Sequence, residues 1–366
     1  MATTYLTLTN SVLRELNETE LTSATFSSSR GIQTAVKDFV NKSVHDIYNE
    51  SAEIPALHTR TTQDLTIGDA EYDFPADMRR VDFDSFSLKP RELVTNGEFA
   101  SNINSWTTGD GSPSHTTSGN GRLNLNDAAA YQAINTTVNK TYRLQVRILS
   151  PNSSSTALIV RVGTSAGGTQ NLNTTQAVTN FREGVILNTI FTATAQTSFI
   201  YLEAPSVQLD VDFVRISRND IAPRKLSYLS YDQFLQNRKP IDDVNNSSQY
   251  DTPQFIYRIP SYTAFGVSPI PNTNELAISY DYYTTHSDLS AHSDTMSLPD
   301  RFASLIVDRS KYYTYMLRSD PQHAQLADRD FQRKLRLLKT DYATKADYMR
   351  TDVIAESITT NIGAVG

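Results

Sequence analysis

Apolar positions at the start of the chain recur every three or four places. Leu6, Thr9, Leu13 and Leu16 follow this spacing and predict a short helix. A polar break rich in serine and threonine, residues 17–29, ends it. From 30 to 50, Ile32, Val36, Phe39, Val40, Val44, Ile47 and Tyr48 share one side and Lys37, Asp38, Lys42 and Asp46 the other, which predicts an amphipathic helix with one buried stripe. After Pro55 the period drops to two. Residues 63–67, a Gly68-Asp69 turn, 71–74, and the alternation of Val81, Phe83 and Ser85 with Asp82, Asp84 and Phe86 predict two or three strands. The same period resumes at 225–229, 254–259 and 276–283, punctuated by Pro253, Pro260, Pro269 and Pro271, so both sets are expected in one sheet. Helical spacing returns past Ser297. Leu298-Pro299-Asp300 opens a helix whose stripe is Phe302, Leu305, Ile306, Tyr313, Met316 and Leu317. Ser319-Asp320-Pro321 stops it and caps another, along which Ala324, Ala327, Phe331, Leu335, Leu338, Tyr342 and Ala346 recur. The two predict an antiparallel helical hairpin.

Residues 92–220, between the two sets of strands, have another character. Asn, Ser, Thr and Gly dominate, and short β-type runs at 141–149, 157–163, 184–193, 198–203 and 208–216 alternate with turn clusters at 109–111, 119–121, 151–155 and 167–168. Regular short strands with polar turns predict a sandwich or jelly roll. The expected fold is therefore α+β: a helical bundle of two N-terminal helices and a C-terminal helical hairpin, a small β-sheet, and an inserted all-β jelly-roll sandwich. The expected map is 1–91 and 221–350 as one body, 92–220 as the insert, and 351–366 as a C-terminal tail.

Composition narrows the class. With 366 residues, 39% hydrophobic and 20% charged, the chain reads as a globular protein of about two domains. No apolar run approaches the roughly 18 to 20 residues of a bilayer span, and the start lacks a basic, then apolar, signal pattern, so folding in a cytoplasm without membrane association is expected. The chain contains no cysteine, which removes disulfides, thiolate nucleophiles and cysteine-ligated zinc together. A formal charge of −7 argues against tight sequence-independent DNA binding.

Candidate chemistry is sparse. There is no Gly-x-Ser-x-Gly elbow, phosphate loop or dinucleotide fingerprint, so no enzyme activity is expected. Of the histidines only His286 and His292 are close in sequence, without metal-binding spacing, and they read as surface-loop residues. Asp69, Glu71, Asp73, Asp77, Asp82 and Asp84 cluster, but their positions on strands and turns suit solvated faces better than a catalytic carboxylate pair. Arg329, Arg333, Lys334, Arg336 and Lys339, with Asp328 and Asp330 among them, fit a solvated or subunit-contacting helix.

Specific strings carry a resemblance. YLTLTNSVLRELN at 5–17, VKDFVN at 36–41, RKLSYLSYDQF at 224–234, TPQF at 252–255 and LPDRF at 298–302 resemble the head-to-tail adaptors of short-tailed bacteriophages, the tail tubular protein A or gatekeeper family, over roughly 1–90 and 221–350. The resemblance implies a virion tail protein assembled in the host cytoplasm. It also implies a twelve-subunit homo-oligomeric ring between portal protein and tail nozzle, with DNA passing through its channel without sequence recognition. Within the insert, NGEF at 96–99 followed by Trp106, Tyr201-Leu202 and LDVDFV at 209–214 resemble jelly-roll carbohydrate-binding modules. That likeness implies a structural calcium on Glu98 and Asp212. The same two acids also read as a turn residue and a solvated strand acid.

Sugar binding needs an aromatic platform, but Trp106 sits where such folds bury a tryptophan, and Tyr131, Tyr142 and Tyr201 alternate with core positions. Decoration, a subunit contact or docking of a tail fibre is thus the expected role of the insert, and recognition of carbohydrate or the host surface the alternative. In the tail, Val353, Ile354, Ile358 and Ile362 share a face amid helix-weakening residues, which predicts a segment that orders on a partner, and the adaptor resemblance implies that this partner is the portal.

Overall fold

A computed structural model describes residues 3–50, 54–117, 119–149, 156–178, 184–239, 242, 244–296 and 298–340. Its first elements are α1 (Tyr5–Glu15), α2 (Ile32–Glu50), β1 (His58–Asp64), β2 (Glu71–Asp73), β3 (Met78–Val81) and β4 (Ser87–Pro90). Eight strands follow: β5 (Thr107–Asp110), β6 (Ser114–Thr116), β7 (Arg122–Asn135), β8 (Thr141–Leu149), β9 (Thr156–Gly163), β10 (Leu172–Val178), β11 (Val185–Thr192) and β12 (Thr197–Arg218). Then come β13 (Arg224–Lys225), β14 (Ser227–Leu229), α3 (Tyr231–Asn237), β15 (Phe255–Arg258), β16 (Ala264–Ser268), β17 (Leu276–Thr284), α4 (Ala303–Leu317) and α5 (residues 321–340). The chain divides into two units. One comprises Met1–Arg60, Pro75–Asp82 and Asp281–Gly366, the other Thr61–Phe74 and Phe83–Tyr280.

The first unit is helical. Thr4 caps α1 by accepting the Thr7 N–H, and Asn17, at φ 56°, turns the chain off its end. The fully buried stripe of α2, Val36, Val40, Val44 and Ile47, packs with Leu8, Val12 and Leu13 of α1, Leu305 and Ile306 of α4, and Phe331, Leu335 and Leu338 of α5. Two helices approach closely where Ser43 meets Ser310, 3.0 Å apart and buried. Arg309 then ties three of them: Nε donates to Asp46 on α2 at 2.8 Å and Nη1 to Asp328 on α5 at 2.9 Å.

Two stripes differ from expectation. On α1 the buried residues are Tyr5, Leu8, Thr9, Val12 and Leu13, whereas Leu6 is only half-buried. On α4, Met316 and Leu317 are 52% and 56% exposed, because the helix ends at Leu317 and its inward face is completed by Ser310 and Thr314. These hydroxyls return bonds to Ile306 and Ser310 carbonyls, so small polar residues fill a face that spacing assigns to larger apolar ones. Tyr342 and Ala346 of the expected stripe lie outside the described residues.

The second unit holds a sheet in which β4 lies between β17 and β13, Leu88 opposing both Ile278 and Arg224. Another sheet has the order β14-β15-β16-β2, so this body carries two sheets where one is expected. Ser230 and Gln233 form a reciprocal capping box that starts α3 directly after β14. The alternation expected across 81–86 is broken at Phe83–Ser85, a 3-10 turn in which Phe83 stacks on Phe86 with ring centroids 5.7 Å apart.

The eight strands β5 to β12 pair antiparallel into a jelly-roll-like sandwich. Two of them are long enough to serve both layers. The N-terminal part of β12 pairs with β9 and the C-terminal part of β7, in a layer completed by β10 and β5. Its C-terminal part pairs with β8 and the start of β7, in a layer completed by β11 and β6. A register shift between Ala204 and Gln208 marks the crossing. The expected strands 198–203 and 208–216 are thus one strand, since a bulge, not a turn, lies between them. Between the layers lie Leu123, Leu125, Tyr142, Leu144, Val146, Ile148, Val160, Ile200, Leu202 and Val214, all fully buried.

Candidate functional site

Strand alternation gives the β10-β9-β12-β7-β5 layer an outward face, and its register sets rows across it. One row runs Thr107, Tyr131, Tyr201, Arg161, Asn173 and the next Asp110, Ala129, Glu203, Ile159, Thr175. The rings of Tyr131 and Tyr201 lie side by side, centroids 6.3 Å apart and 17° from parallel, and Phe199 is 6.2 Å from Tyr131. Arg161 reaches over Tyr201, 5.7 Å from its centroid, and pairs with Glu203 at 2.7 Å. Burial, with Glu203 and Asp110 nearby, raises the Tyr201 phenol above its usual pKa. Gly109 makes room for that ring: a Cβ there would sit 2.6 Å from it. The result is a half-buried aromatic strip edged by a guanidinium and carboxylates, a surface suited to stacking and hydrogen bonding at once. Of the aromatics singled out in the sequence, Tyr142 is core, Trp106 is buried with Nε1 donating to the Asn96 carbonyl at 3.3 Å, and Tyr131 and Tyr201 face outward.

Glu98 and Asp212 line one recess of about 450 Å³ with Ala100 and Asn120. Their partners are cations. Arg215 donates to Glu98 at 2.8 Å, and Asp212 takes Arg147 at 3.1 Å and Arg122 at 3.7 Å. Calcium takes six to eight oxygen ligands, so acids already neutralised by guanidinium groups do not fit it, and no cluster of three or more metal-ligating side chains occurs among the described residues.

A buried polar knot lies at the foot of the sandwich. Glu275, 6% exposed, accepts bonds from Arg218 Nη1 at 2.7 Å, the Tyr142 hydroxyl at 2.5 Å and Thr137 Oγ1 at 3.1 Å. Burial, then the bond to Glu275, pushes the Tyr142 phenol up to about 12. Arg218 also grips Asp220 through Nε and Nη2 at 2.7 and 2.9 Å, which holds that carboxyl below its usual range. A cleft of about 980 Å³ beside the knot is lined mainly by Thr, Asn and Gln, with Arg91, Glu92 and Glu275. No sequence signal finds this knot, since Arg218 and Glu275 are 57 positions apart.

In the helical unit, His286 is not a plain loop residue. Its ring stacks on Tyr48 at 4.9 Å and meets the edge of His45 at 6.1 Å, contacts across the chain that the pairing of His286 with His292 in sequence cannot reveal. Burial, then His45, lowers its pKa. Arg329, Arg333, Arg336 and Lys339 are exposed, while Lys334 pairs with the buried Asp308. Leu326 and Leu337 on α5 are 59% and 62% exposed. All six acids of the 69–84 cluster are exposed. Val353, Ile354, Ile358 and Ile362 lie outside the described residues. No helix among the described residues is long and apolar enough to cross a membrane.

A family model described as SU10 adaptor protein matches residues 3–162 and 166–354. Among curated proteins none matches. Solved structures that are similar include the CBM22-1 xylan-binding domain of Paenibacillus barcinonensis Xyn10C, at 15% identity over 36% of this chain and 97% of that one, TM-score 0.28. The C-terminal family 22 carbohydrate-binding module of Clostridium thermocellum Xyn10B is 16% identical over 36% of this chain and 96% of its own, TM-score 0.29. The enzymatically active domain of bacteriophage CBA120 tailspike protein 4 is 14% identical over 35% of this chain and 21% of its own, TM-score 0.28.

Proposed function

The chain belongs to the SU10 adaptor protein family, and from that premise we propose that it is a structural bacteriophage virion protein, a head-to-tail adaptor. Its copies, twelve as in the adaptors its sequence resembles, form a ring that joins portal to tail nozzle around the DNA channel. The reading is carried by the extent of the match, which runs through both units and the sandwich from residue 3 to residue 354. It is supported by the helical unit, where Met316, Leu317, Leu326 and Leu337 offer apolar surface for association. The tail residues Val353, Ile354, Ile358 and Ile362 dock on the portal in this reading. Mixing the purified chain with portal rings should give decorated rings by negative-stain imaging and a mass step by mass photometry. A variant ending at Tyr348 should lose most of that binding. No binding by the full chain would sink the adaptor reading, and undiminished binding by the short variant would sink the docking tail alone.

A second reading is favoured by the strip of Tyr131, Tyr201 and Phe199: the sandwich recognises carbohydrate or the host surface. Retardation of the chain in affinity gels containing neutral polysaccharides, abolished by Tyr201→Ala, would support it. Equal mobility with and without each polymer would remove it.

A further inference from the structure

The open edge of the sandwich at β11 is built unlike an edge meant to stay bare. β11 pairs with β8 on one side and, among the described residues, with no strand on the other. Exposed edges usually carry a charge, a proline or a bulge that discourages another strand, but Val185–Thr192 contains neither charge nor proline and keeps an unbroken register with β8. Leu187 and Phe191 point into the core, while Ile186 and Ile190 are 56% and 51% exposed on the other face. The remaining edges lack that exposed apolar pair: β5 and β6 are four and three residues long, and β10, also without charge or proline and in unbroken register with β9, turns Asn173, Thr175 and Ala177 outward.

We infer that β11 pairs antiparallel with β11 of a second copy of this chain, about a two-fold axis at Asn188. The strand is complementary to itself in that register. Ile186 falls opposite Ile190 of the second copy, Val185 opposite Phe191, Leu187 opposite Thr189 and Asn188 opposite Asn188, so each opposed pair keeps to one face and no charge meets its like. Apolar and β-branched pairs of this kind are those that stabilise sheets. The nearest charges, Arg143 and Arg147 on β8, oppose Ile190 and Ile186 within the chain. Across the dimer they lie three strand spacings, about 14 Å, from their mates, beyond the screening length of roughly 8 to 10 Å.

Such a contact closes on itself, unlike the head-to-tail contacts of a ring, and joins free chains before they assemble. One strand pair buries less than the roughly 1,200 Å² of a stable interface, so the dimer is weak and concentration-dependent.

The absence of cysteine makes the test clean. Opposed residues of an antiparallel pair have Cα atoms about 4.5 to 5.5 Å apart, within disulfide reach. Under mild oxidation the full chain carrying Asn188→Cys should form a disulfide-linked dimer at least about tenfold faster than one carrying Thr175→Cys on the β10 edge. In sedimentation equilibrium the mass of the unmodified chain should rise toward two subunits by about 0.5 mM, and Ile186→Lys, which faces Arg147 across the strand pair, should remain monomeric while still melting in one cooperative transition. Equal cross-linking at both cysteines, a wild-type chain that stays monomeric throughout, or an Ile186→Lys chain that dimerises like wild type would each overturn the inference.

Discussion

Glu92 shows how a single side chain can make the foot of the sandwich sensitive to pH. Its Oε1 accepts the Ile216 N–H at 2.5 Å and the Val94 N–H at 3.2 Å, at the place where the chain enters and leaves the sandwich. Loss of water around the carboxylate pushes it up from 4.5 to about 7, against the pull of those two donors, even though part of the side chain stays in solvent. The folded state therefore binds this proton more tightly than the unfolded chain. That contribution to stability is complete below about pH 4.5, falls as pH rises through about 7, and is absent above it. Glu92→Gln keeps the accepting oxygen and cannot titrate. Relative to wild type, its Tm should improve as pH is raised from 5 to 8. Parallel Tm profiles for the two proteins across that range would show that Glu92 stays charged throughout.

At the scale of elements, the helical unit is held by short amphipathic stripes, and α5 depends on few residues. Leu335 and Leu338 are 2% and 0% exposed and Leu305 of α4 is 1% exposed, all in one cluster with α2. Truncating any of them to Ala removes buried methyl groups and leaves a cavity, for a loss of about 2 to 5 kcal/mol. The neighbouring Leu337, 62% exposed, is the control: Leu337→Ala should stay within about 0.5 kcal/mol. Chemical denaturation of the four variants checks both statements. Equal losses at Leu335 and Leu337 would mean that α5 does not present the face described. The salt-bridged Arg309, reaching Asp46 and Asp328 together, adds orientation to this packing.

At the scale of the whole molecule, the sandwich begins and ends at one place, because the Leu93 N–H donates to the Ile216 carbonyl at 2.8 Å. We therefore propose 92–220 as a removable insert. Joining 91 to 221 with a short Gly-Ser linker should leave a soluble chain with its helical circular dichroism intact, since closing a short loop between adjacent ends has a small entropic penalty. Aggregation of that variant, or loss of its helical signal, would show that the body needs the sandwich to fold. The sequence by itself determined helices α1, α2, α4 and α5, the positions of β8, β9, β11 and β17, and the stripe of α5 as far as Leu338, because periods of 3.6 and 2 are local consequences of which side of an element meets water. It left β5, β6, β7 and β10 unread, because small and polar residues such as Ala129 and Thr174 alternate too weakly to mark a strand until a partner strand supplies the pairing. Only the tertiary structure decided that β12 is one strand serving two layers, that Tyr131 and Tyr201 stand side by side, and that Glu275 is buried against Arg218. Each of these joins positions far apart in the chain, and such contacts depend on register, bulges and the meeting of layers rather than on any local order of residues.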